Sequence, residues 1–215
     1  MNWMQFRAWL PELLNGLKMT VLACVVSAFT SVIWGSVIAS LMAIQNKFLS
    51  AVLRIYISIF RNSPLLVQMF FFFYGLPYVG IVLSPLACGV LAITLNEGAF
   101  IAEILRGAIR SLPTGEIEAA YSLGLSKYQV IRKIILPLGM HSSIPMIMGQ
   151  CSIVIKDTSL FSLIMILDLT RAGVRFYTRT FNNVSIWIVA VIYVVLFLLL
   201  SFVGKYIEKK NIVRR

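Results

Sequence analysis

Charged residues are scarce in this chain. Only 13% of its 215 residues are Asp, Glu, Lys or Arg, whereas 60% are hydrophobic. Soluble domains are typically about 25% charged and about 45–50% apolar, so the composition excludes an ordinary soluble domain. The chain is predicted to be an integral membrane protein.

Residue types that build most enzyme sites are also few. The chain has one histidine, His141, and three cysteines. It shows no metal-ligand spacing, no nucleophile–base arrangement and no G-x-x-x-x-G-K-[ST] phosphate loop. Cys24, Cys88 and Cys151 fall in apolar stretches and, being odd in number, make no disulfide framework. We therefore predict that this chain binds no metal or cofactor and does not itself hydrolyse ATP.

Long apolar runs, in contrast, are abundant. An apolar helix of roughly 20 residues can cross the ~30 Å hydrocarbon layer. The sequence predicts five such spans, at about residues 19–44, 64–83, 86–105, 142–167 and 184–204. The expected fold is all-α, with a single transmembrane domain over residues 1–215.

The basic residues are distributed unevenly between the loops. If the N-terminus lies outside, most Lys and Arg residues fall in segments facing the cytoplasm, as the positive-inside rule requires. The net charge of +11 then fits anionic cytoplasmic lipid rather than nucleic acid. The predicted topology is N-out and C-in, with Arg61 at the cytoplasmic boundary of the second span.

Two features are predicted in the N-terminal region. Residues 3–14 have apolar residues at helical spacing before Pro11, which suits a short interfacial helix or, equally well, a frayed terminus. In the first span, small residues recur every four positions and would let another helix approach closely. They are Ala23, Ser27, Ser31, Gly35, Ala39 and Ala43, with chance recurrence as the alternative.

Polar and ionisable side chains in apolar spans are costly, and they normally face a bundle interior or an aqueous path. The candidates for a substrate pathway are Ser63, Gln68, Glu97, Glu103, Lys156, Asp157, Thr158 and Ser159. Structural alternatives stay open for some of them. Arg106 or Arg110 is spaced to neutralise Glu103 on one helical face, and Lys156 and Asp157 could neutralise each other.

Three arginines between the last two spans form a second pattern. Arg171, Arg175 and Arg179 repeat every four residues and would line one face of a short outer helix. An outer position runs against the positive-inside tendency, so lipid anchoring does not fully explain them. A docking surface, an external gate and a solvated face are the interpretations left open.

Residues 113–137 form a long polar segment between the third and fourth spans, and the segment carries its own helix signals. These are a cap at Thr114, acids in the opening turn at Glu116 and Glu118, a glycine stop at Gly124, a capping box at Ser126 and Gln129, and a terminating proline at Pro137. Because the signals are local, the segment is predicted to be a rigid cytoplasmic helix–turn–helix.

The same segment carries a family resemblance. Glu118-Ala119-Ala120, then Gly124 after three residues and Ile134-x-Leu136-Pro137 after nine more, resembles the coupling loop of bacterial ABC-importer permeases. Two further regions, FRNSPLLVQ at 60–68 and KDTSL at 156–160 with LTRAG at 169–173, resemble the polar amino-acid branch, which includes histidine, glutamine and arginine permeases. Asn62-Ser63 and Glu97 depart from the common pattern, and both departures could change substrate preference.

The resemblance implies a multi-pass permease subunit of the bacterial plasma (inner) membrane that translocates a polar amino acid. It implies two ATPase subunits binding ATP and Mg, a second permease copy or paralogue, and an extracytoplasmic solute-binding protein as partners. The implied ATPase-coupling residues are Glu118, Ala119, Ala120, Gly124, Leu125 and Ser126. An ATP-independent secondary transporter or channel subunit is the alternative.

Overall fold

The computed structural model describes residues 3–44 and 46–212, apart from the side chains of Thr114 and residues 208–212. Within these ranges the chain is helical and contains no β-strand, which confirms the all-α prediction. The α-helices are α1 (Trp3–Ala43), α2 (Lys47–Asn62), α3 (Leu65–Phe70), α4 (Pro85–Arg110), α5 (Thr114–Ser122), α6 (Lys127–Val130), α7 (Leu136–Asp157), α8 (Leu169–Thr180) and α9 (Val184–Ile212).

Four irregular helical turns extend these elements. A π-helical turn, Phe71–Gly75, and a 3₁₀ turn, Leu76–Val79, continue α3. A second π-helical turn, Ile131–Ile135, joins α6 to α7, and a 3₁₀ turn, Thr158–Ile164, continues α7. In the described parts of the chain, four helical stretches are long and apolar enough to cross a membrane, or five if the bent pair α2–α3 is one span.

The first helix differs from the prediction for residues 3–14. α1 is one continuous helix of 41 residues that contains Pro11, so these residues are neither a separate interfacial helix nor a frayed end. Packing against α8 holds this end in place: the indole N–H of Trp9 donates to the carbonyl of Ala172 (3.0 Å), and its ring lies 4.9 Å from that of Phe176. Long-range contacts therefore outweigh the single hydrogen bond that a proline removes.

The second span is also different from the prediction of one helix over 64–83. α2, which the sequence did not predict, precedes α3, and the two are bent by 105°. The stretch Leu65–Val79 alone is about 22 Å long as an α-helix, too short for the ~30 Å hydrocarbon layer. The bent pair together is thus the candidate for one broken span.

Pro64 explains the break. The carbonyl of Phe60 would normally accept from the N–H four residues later, which proline lacks. Two side-chain amides take over: Gln68 Nε2 donates to this carbonyl at 2.9 Å, and Asn96 Nδ2 of α4 donates to it at 2.7 Å. Gln68 Nε2 also reaches the hydroxyl of Ser63 at 2.8 Å, so the bend is fixed by a polar network.

The stripe of small residues forms the interface between α1 and α4. Five of the six predicted residues, Ala23, Ser27, Ser31, Gly35 and Ala39, are buried, which confirms the predicted packing face, whereas Ala43 at the end of the helix is half-buried. A Cβ atom at Gly35 would lie 2.7 Å from Ile101 Cβ and 2.8 Å from the carbonyl oxygen of Gly98. The two backbones therefore approach as closely as small residues permit.

Pro137 does not end the helix, contrary to the prediction. It lies in the first turn of α7, directly after the π-helical turn, where the N–H of Leu136 bonds to the carbonyl of Ile131. The wide turn shifts the hydrogen-bond ladder by one residue, so the missing N–H of Pro137 is accommodated without a break. Residues 113–137, called the coupling segment below after the loop that they resemble, consequently continue directly into α7, which is part of the candidate span Lys127–Ile164.

Candidate transport pathway and coupling segment

Glu97 is the most deeply placed acidic group of the candidate pathway. It lies near the middle of α4 and is 3% exposed. Its Oε2 accepts a hydrogen bond of 2.6 Å from Gln150 Nε2 on α7, and it interacts with the carboxyl group of Asp157. A buried acid beside an uncharged amide and a second acid is costly to maintain in a bundle of apolar helices, which makes Glu97 a candidate for a functional position.

A cavity of about 490 Å³ opens beside this group. Arg61, Phe100, Glu103 and Gln150 are among its lining residues, so Gln150 connects the cavity to Glu97. The guanidinium of Arg61 lies 5.0 Å from the Phe100 ring centroid and 3.7 Å from Glu103 Oε1. The cavity thus presents a cation, an acid and an amide within an otherwise apolar region.

Arg61 lies beside Phe100 and Glu103 of α4, near the end of the predicted span 86–105. Its place at the cytoplasmic boundary stays a prediction. Arg106 Nη2 donates to Glu103 Oε1 at 2.6 Å, confirming the neutralisation that the spacing predicted.

The other candidates do not converge on one point. Ser63 and Gln68 stabilise the α2–α3 bend, although Gln68 Oε1 is buried and has no hydrogen-bond partner among the described residues. The hydroxyl of Thr158 donates to the carbonyl of Ile155 at 2.7 Å, within its own helix. Ser159 is half-buried, and its carbonyl accepts from the hydroxyl of Ser162.

Lys156 and Asp157 do not form the expected ion pair within the described parts of the chain. The Nζ of Lys156 lies 4.1 Å from the ring centroid of Phe197 on α9, whereas Asp157 interacts with Glu97. Successive residues on an α-helix point about 100° apart, so neighbours in sequence reach different helices. Lys156 acts on Asp157 only through space.

Sequence reasoning missed Gln150 and the contact of Arg61 with Phe100. Gln150 is an isolated amide in the apolar run of α7, without a charged residue beside it in the sequence. A glutamine within a membrane span was the available signal, since its amide must find a partner there. Nothing in the local sequence indicates that this partner is Glu97, 53 positions away.

The coupling segment has well-defined local geometry. Gly124 has φ +76°, its N–H bonds to the carbonyl of Tyr121 at 2.9 Å, and the N–H of Leu125 bonds to that of Ala120 at 3.3 Å. This pair of bonds is a Schellman motif. The predicted capping box is confirmed as well, because Ser126 N–H donates to Gln129 Oε1 (2.9 Å) and the Gln129 N–H to Ser126 Oγ (3.4 Å).

Two predictions at the start of the segment are wrong. Pro113 occupies the cap position of α5, and Thr114 is the first helical residue instead of the cap. Glu116 lies in the first turn, but Glu118 lies beyond it, so the helix dipole favours only the first acid. The fixed φ of proline is compatible with a helix start, which explains how α5 begins without a side-chain cap.

Large apolar side chains are exposed at the tip of this segment. Leu123 is 82% exposed, and Tyr128 and Tyr121 are 68% and 47% exposed. Glu118 and Ala119 are exposed too, whereas Ala120 is buried. Exposed apolar groups on a polar segment are typical of an interaction surface.

The three arginines lie on α8 as predicted, but each has a partner. Arg175 and Arg179 both pair with Glu12 of α1, at 3.3 and 3.2 Å, and Arg171 Nη1 donates to the carbonyl of Ser162 at 3.1 Å. Asp168 caps this helix, and burial raises the pKa of its carboxyl, against the opposing effect of the N–H groups that it accepts from. The arginines therefore tie α8 to its neighbours.

Comparisons with known proteins agree with this architecture. Residues 31–213 match the family described as "Binding-protein-dependent transport system inner membrane component". The chain is 34% identical over 212 residues to the glutamine transport system permease protein GlnP of Escherichia coli strain K12, with 97% of each chain covered. It is 33% identical over 202 residues to the L-cystine transport system permease protein TcyB of Bacillus subtilis strain 168, covering 93% of this chain and 86% of that one.

Solved structures are similar along the whole chain. The crystal structure of an amino acid ABC transporter with histidines superposes with a TM-score of 0.89 at 28% identity, covering 98% of this chain and 99% of that one. An inward-facing MetNI methionine ABC transporter has a TM-score of 0.82 at 21% identity over 98% and 99%, a likeness of fold alone. These relatives do not favour an ATP-independent transporter. The chain belongs to the binding-protein-dependent transport system inner membrane components, and is the permease subunit of an ABC importer whose ATPase is a separate subunit.

Proposed function

We propose that this permease carries a polar amino acid through the region formed by Glu97, Gln150 and the adjoining cavity with Arg61 and Glu103. The buried Glu97, hydrogen-bonded to Gln150, is the observation that carries the proposal. Relatives named for the transport of glutamine and L-cystine support the amino-acid class.

The chemistry of the region matches that of an amino acid. A zwitterionic substrate needs an acceptor for its ammonium group and a donor for its carboxylate. Glu97 would accept from the ammonium group, and Arg61 would donate to the carboxylate, because its guanidinium borders the cavity at 3.7 Å from Glu103. Asp157, Gln68 Oε1 and Ser159 would be further polar groups along the pathway.

The test is amino-acid uptake by the complete transporter in vesicles, with its ATPase and binding protein present. Glu97→Gln keeps the shape of the side chain and removes its charge, and Glu97→Asp keeps the charge and shortens the side chain. A hydrogen bond to a charged group contributes about 1.5–3 kcal/mol, so we expect Glu97→Gln to reduce kcat/KM about 10- to 100-fold. Glu97→Asp is expected to retain more activity. Unchanged uptake by Glu97→Gln would refute the assignment.

We also propose that residues 113–137 transmit the movement of the ATPase subunits to α7. Leu123 would enter an apolar depression on the ATPase, and the exposed Ala119 would permit close contact. The continuous helix from Lys127 to Asp157 supports this role, since it leads from the segment to the partners of Glu97. In this arrangement the N-terminus is outside, the C-terminus inside, and ATP and Mg are bound by the partner.

Copurification of the ATPase subunits tests the coupling role. Leu123→Asp places a charge at the exposed tip and is expected to reduce ATPase retention at least about tenfold, because burying an unpaired charge is costly. Val82→Asp is the matched control, since Val82 is 79% exposed in the connection at the opposite end of α4. Equal retention of the ATPase by both variants would contradict the proposed contact.

The assembly would contain two permease chains, either two copies of this one or this one and a paralogue, together with two ATPase subunits. An extracytoplasmic solute-binding protein would dock near α8. Arg175 and Arg179 share the single carboxylate of Glu12, so this surface keeps an excess of positive charge. Acidic residues on the binding protein would complement it.

A further inference from the structure

Two neighbouring cavities lie at the end of the molecule that carries the coupling segment, and the proposed function uses neither. The basic cavity, of about 370 Å³, lies among α2, α4, α5 and α6, with Arg54, Arg106, Arg110 and Lys127 in its lining. Glu103 is the one acidic residue in that lining. The cavity therefore has a marked excess of positive charge.

The apolar groove, of about 890 Å³, runs between the last turns of α1 and the start of α7. Val37, Leu41, Tyr128 and Met140 are typical of its lining, and its only charged lining residues are Lys127 and Arg132. Lys127 and Ile131 line both cavities. The groove and the basic cavity therefore adjoin at these two residues.

We propose that the two cavities together bind one anionic phospholipid, with its phosphate in the basic cavity and its acyl chains in the apolar groove. A basic pocket between membrane helices attracts anionic headgroups, and arginine is well suited to phosphate. An apolar groove of this size, open at the flank of a membrane-spanning helix, complements hydrocarbon. Only a ligand with both chemistries fills both cavities.

The charges of the basic cavity support a phosphate ligand. Glu103 is occupied by Arg106 and Arg61. Arg54 and Arg110 take part in no salt bridge within the described ranges 3–44 and 46–212. They come from different helices, α2 and α4, and Arg110 acts on Glu103 only at a distance, so a bound phosphate would gain two cations that no salt bridge in the described ranges occupies.

The basic cavity lies beside the coupling segment. Tyr121 and Lys127, which line the basic cavity, belong to the coupling segment, while Arg106 and Arg110 end α4. A bound headgroup would therefore lie between the coupling segment and a membrane span. This inference does not depend on which substrate is transported, and its test does not use transport.

The experiment is native mass spectrometry of the complete transporter titrated with phosphatidylglycerol and with phosphatidylcholine of the same acyl length. Wild-type protein is expected to bind phosphatidylglycerol preferentially. Each basic residue near an anionic lipid changes its affinity about fivefold, so Arg54→Gln with Arg110→Gln is expected to weaken phosphatidylglycerol binding about 30-fold. The charge-preserving pair Arg54→Lys and Arg110→Lys is expected to restore most of it.

Two further variants test where the headgroup and the acyl chains bind. Lys133→Gln removes an exposed cation of the same segment that lines neither cavity, and it is expected to leave binding unchanged. Val37→Trp fills the apolar groove and is expected to weaken long-chain phosphatidylglycerol at least about fivefold without changing the binding of inorganic phosphate. Loss of phosphate and lipid binding together in Val37→Trp would contradict the division between headgroup and chains.

The proposal is overturned if phosphatidylglycerol binds equally to wild type and to the Arg54→Gln, Arg110→Gln protein, or if Lys133→Gln loses as much affinity. It is also overturned if neither lipid binds because the ATPase or a second permease chain covers both cavities. Binding of inorganic phosphate with equal affinity in the presence of saturating phosphatidylglycerol would place the lipid elsewhere.

Discussion

Gly35 in the interface between α1 and α4 and Gly124 in the coupling segment are constrained in different ways. At Gly35 the backbone is helical, and a Cβ would collide with Ile101 and with the carbonyl of Gly98. At Gly124 nothing lies within 4 Å of an added Cβ, but φ is +76°. The first glycine is required by a neighbouring helix and the second by its own backbone.

The two regions are held in place by different kinds of contact. The α1–α4 interface is held by residues far apart in sequence, so a change there disturbs the whole bundle. The coupling segment is held by bonds that span at most five residues. Changes in it are expected to act locally and to leave the membrane helices intact.

Gly35→Ala should have the largest effect on stability. The added Cβ meets backbone as well as side-chain atoms, and overpacking of this kind costs about 1–3 kcal/mol. We expect a clear fall in the Tm of the purified protein. Gly149→Ala is the control, because that glycine lies within α7 with nothing within 4 Å, and alanine there favours the helix by up to about 1 kcal/mol. Equal Tm values for both variants would contradict the close approach of α1 and α4 at Gly35.

Gly124→Ala should have a smaller and local effect. A residue with a Cβ in the left-handed region costs about 1–2 kcal/mol, so the last turn of α5 is expected to loosen. Hydrogen exchange at Gly124 and Leu125 should accelerate about fivefold or more, while the Tm changes little. Gly124→Asn should show less acceleration, because asparagine tolerates this conformation. A large fall in Tm would show that the segment is not independent of the bundle.

Ser126→Ala should have the smallest effect of the three. It removes the acceptor for the Gln129 N–H, and the loss of an N-cap typically costs about 1 kcal/mol. Faster exchange of the Gln129 amide is expected, with no change in α4. Ser122→Ala serves as the control, since its hydroxyl donates to the carbonyl of Glu118 and caps nothing. Similar exchange rates in both variants would show that the capping box does not stabilise the start of α6.

The same difference explains what the sequence could predict. The capping box and the Gly124 stop were predictable because their partners lie a few residues away. The small-residue stripe of α1 was predictable because its period of four defines a helix face whatever the partner is. The helix–turn–helix and the close packing therefore followed from the sequence.

The polar contacts between helices did not follow from it. Gln150 could be recognised as an amide within a span, but its pairing with Glu97 depends on how α4 and α7 approach each other. Lys156 was expected to pair with its neighbour in sequence and instead lies over Phe197. The α2–α3 bend was missed because the amides that support it come from Gln68 and from Asn96 on another helix.

The contacts between α1 and α8 have a consequence for the order of synthesis. The indole of Trp9 bonds to a carbonyl 163 positions later, and the hydroxyl of Thr20 accepts from the N–H of Leu169, 149 positions later. At about 5–20 residues per second, a ribosome needs roughly 8–30 s to make the intervening chain. During that interval the first helix is in place without its partners. In a chain that ends before α8, the indole of Trp9 and the hydroxyl of Thr20 lack these partners. We expect membrane quality control to recognise such chains by their first helix.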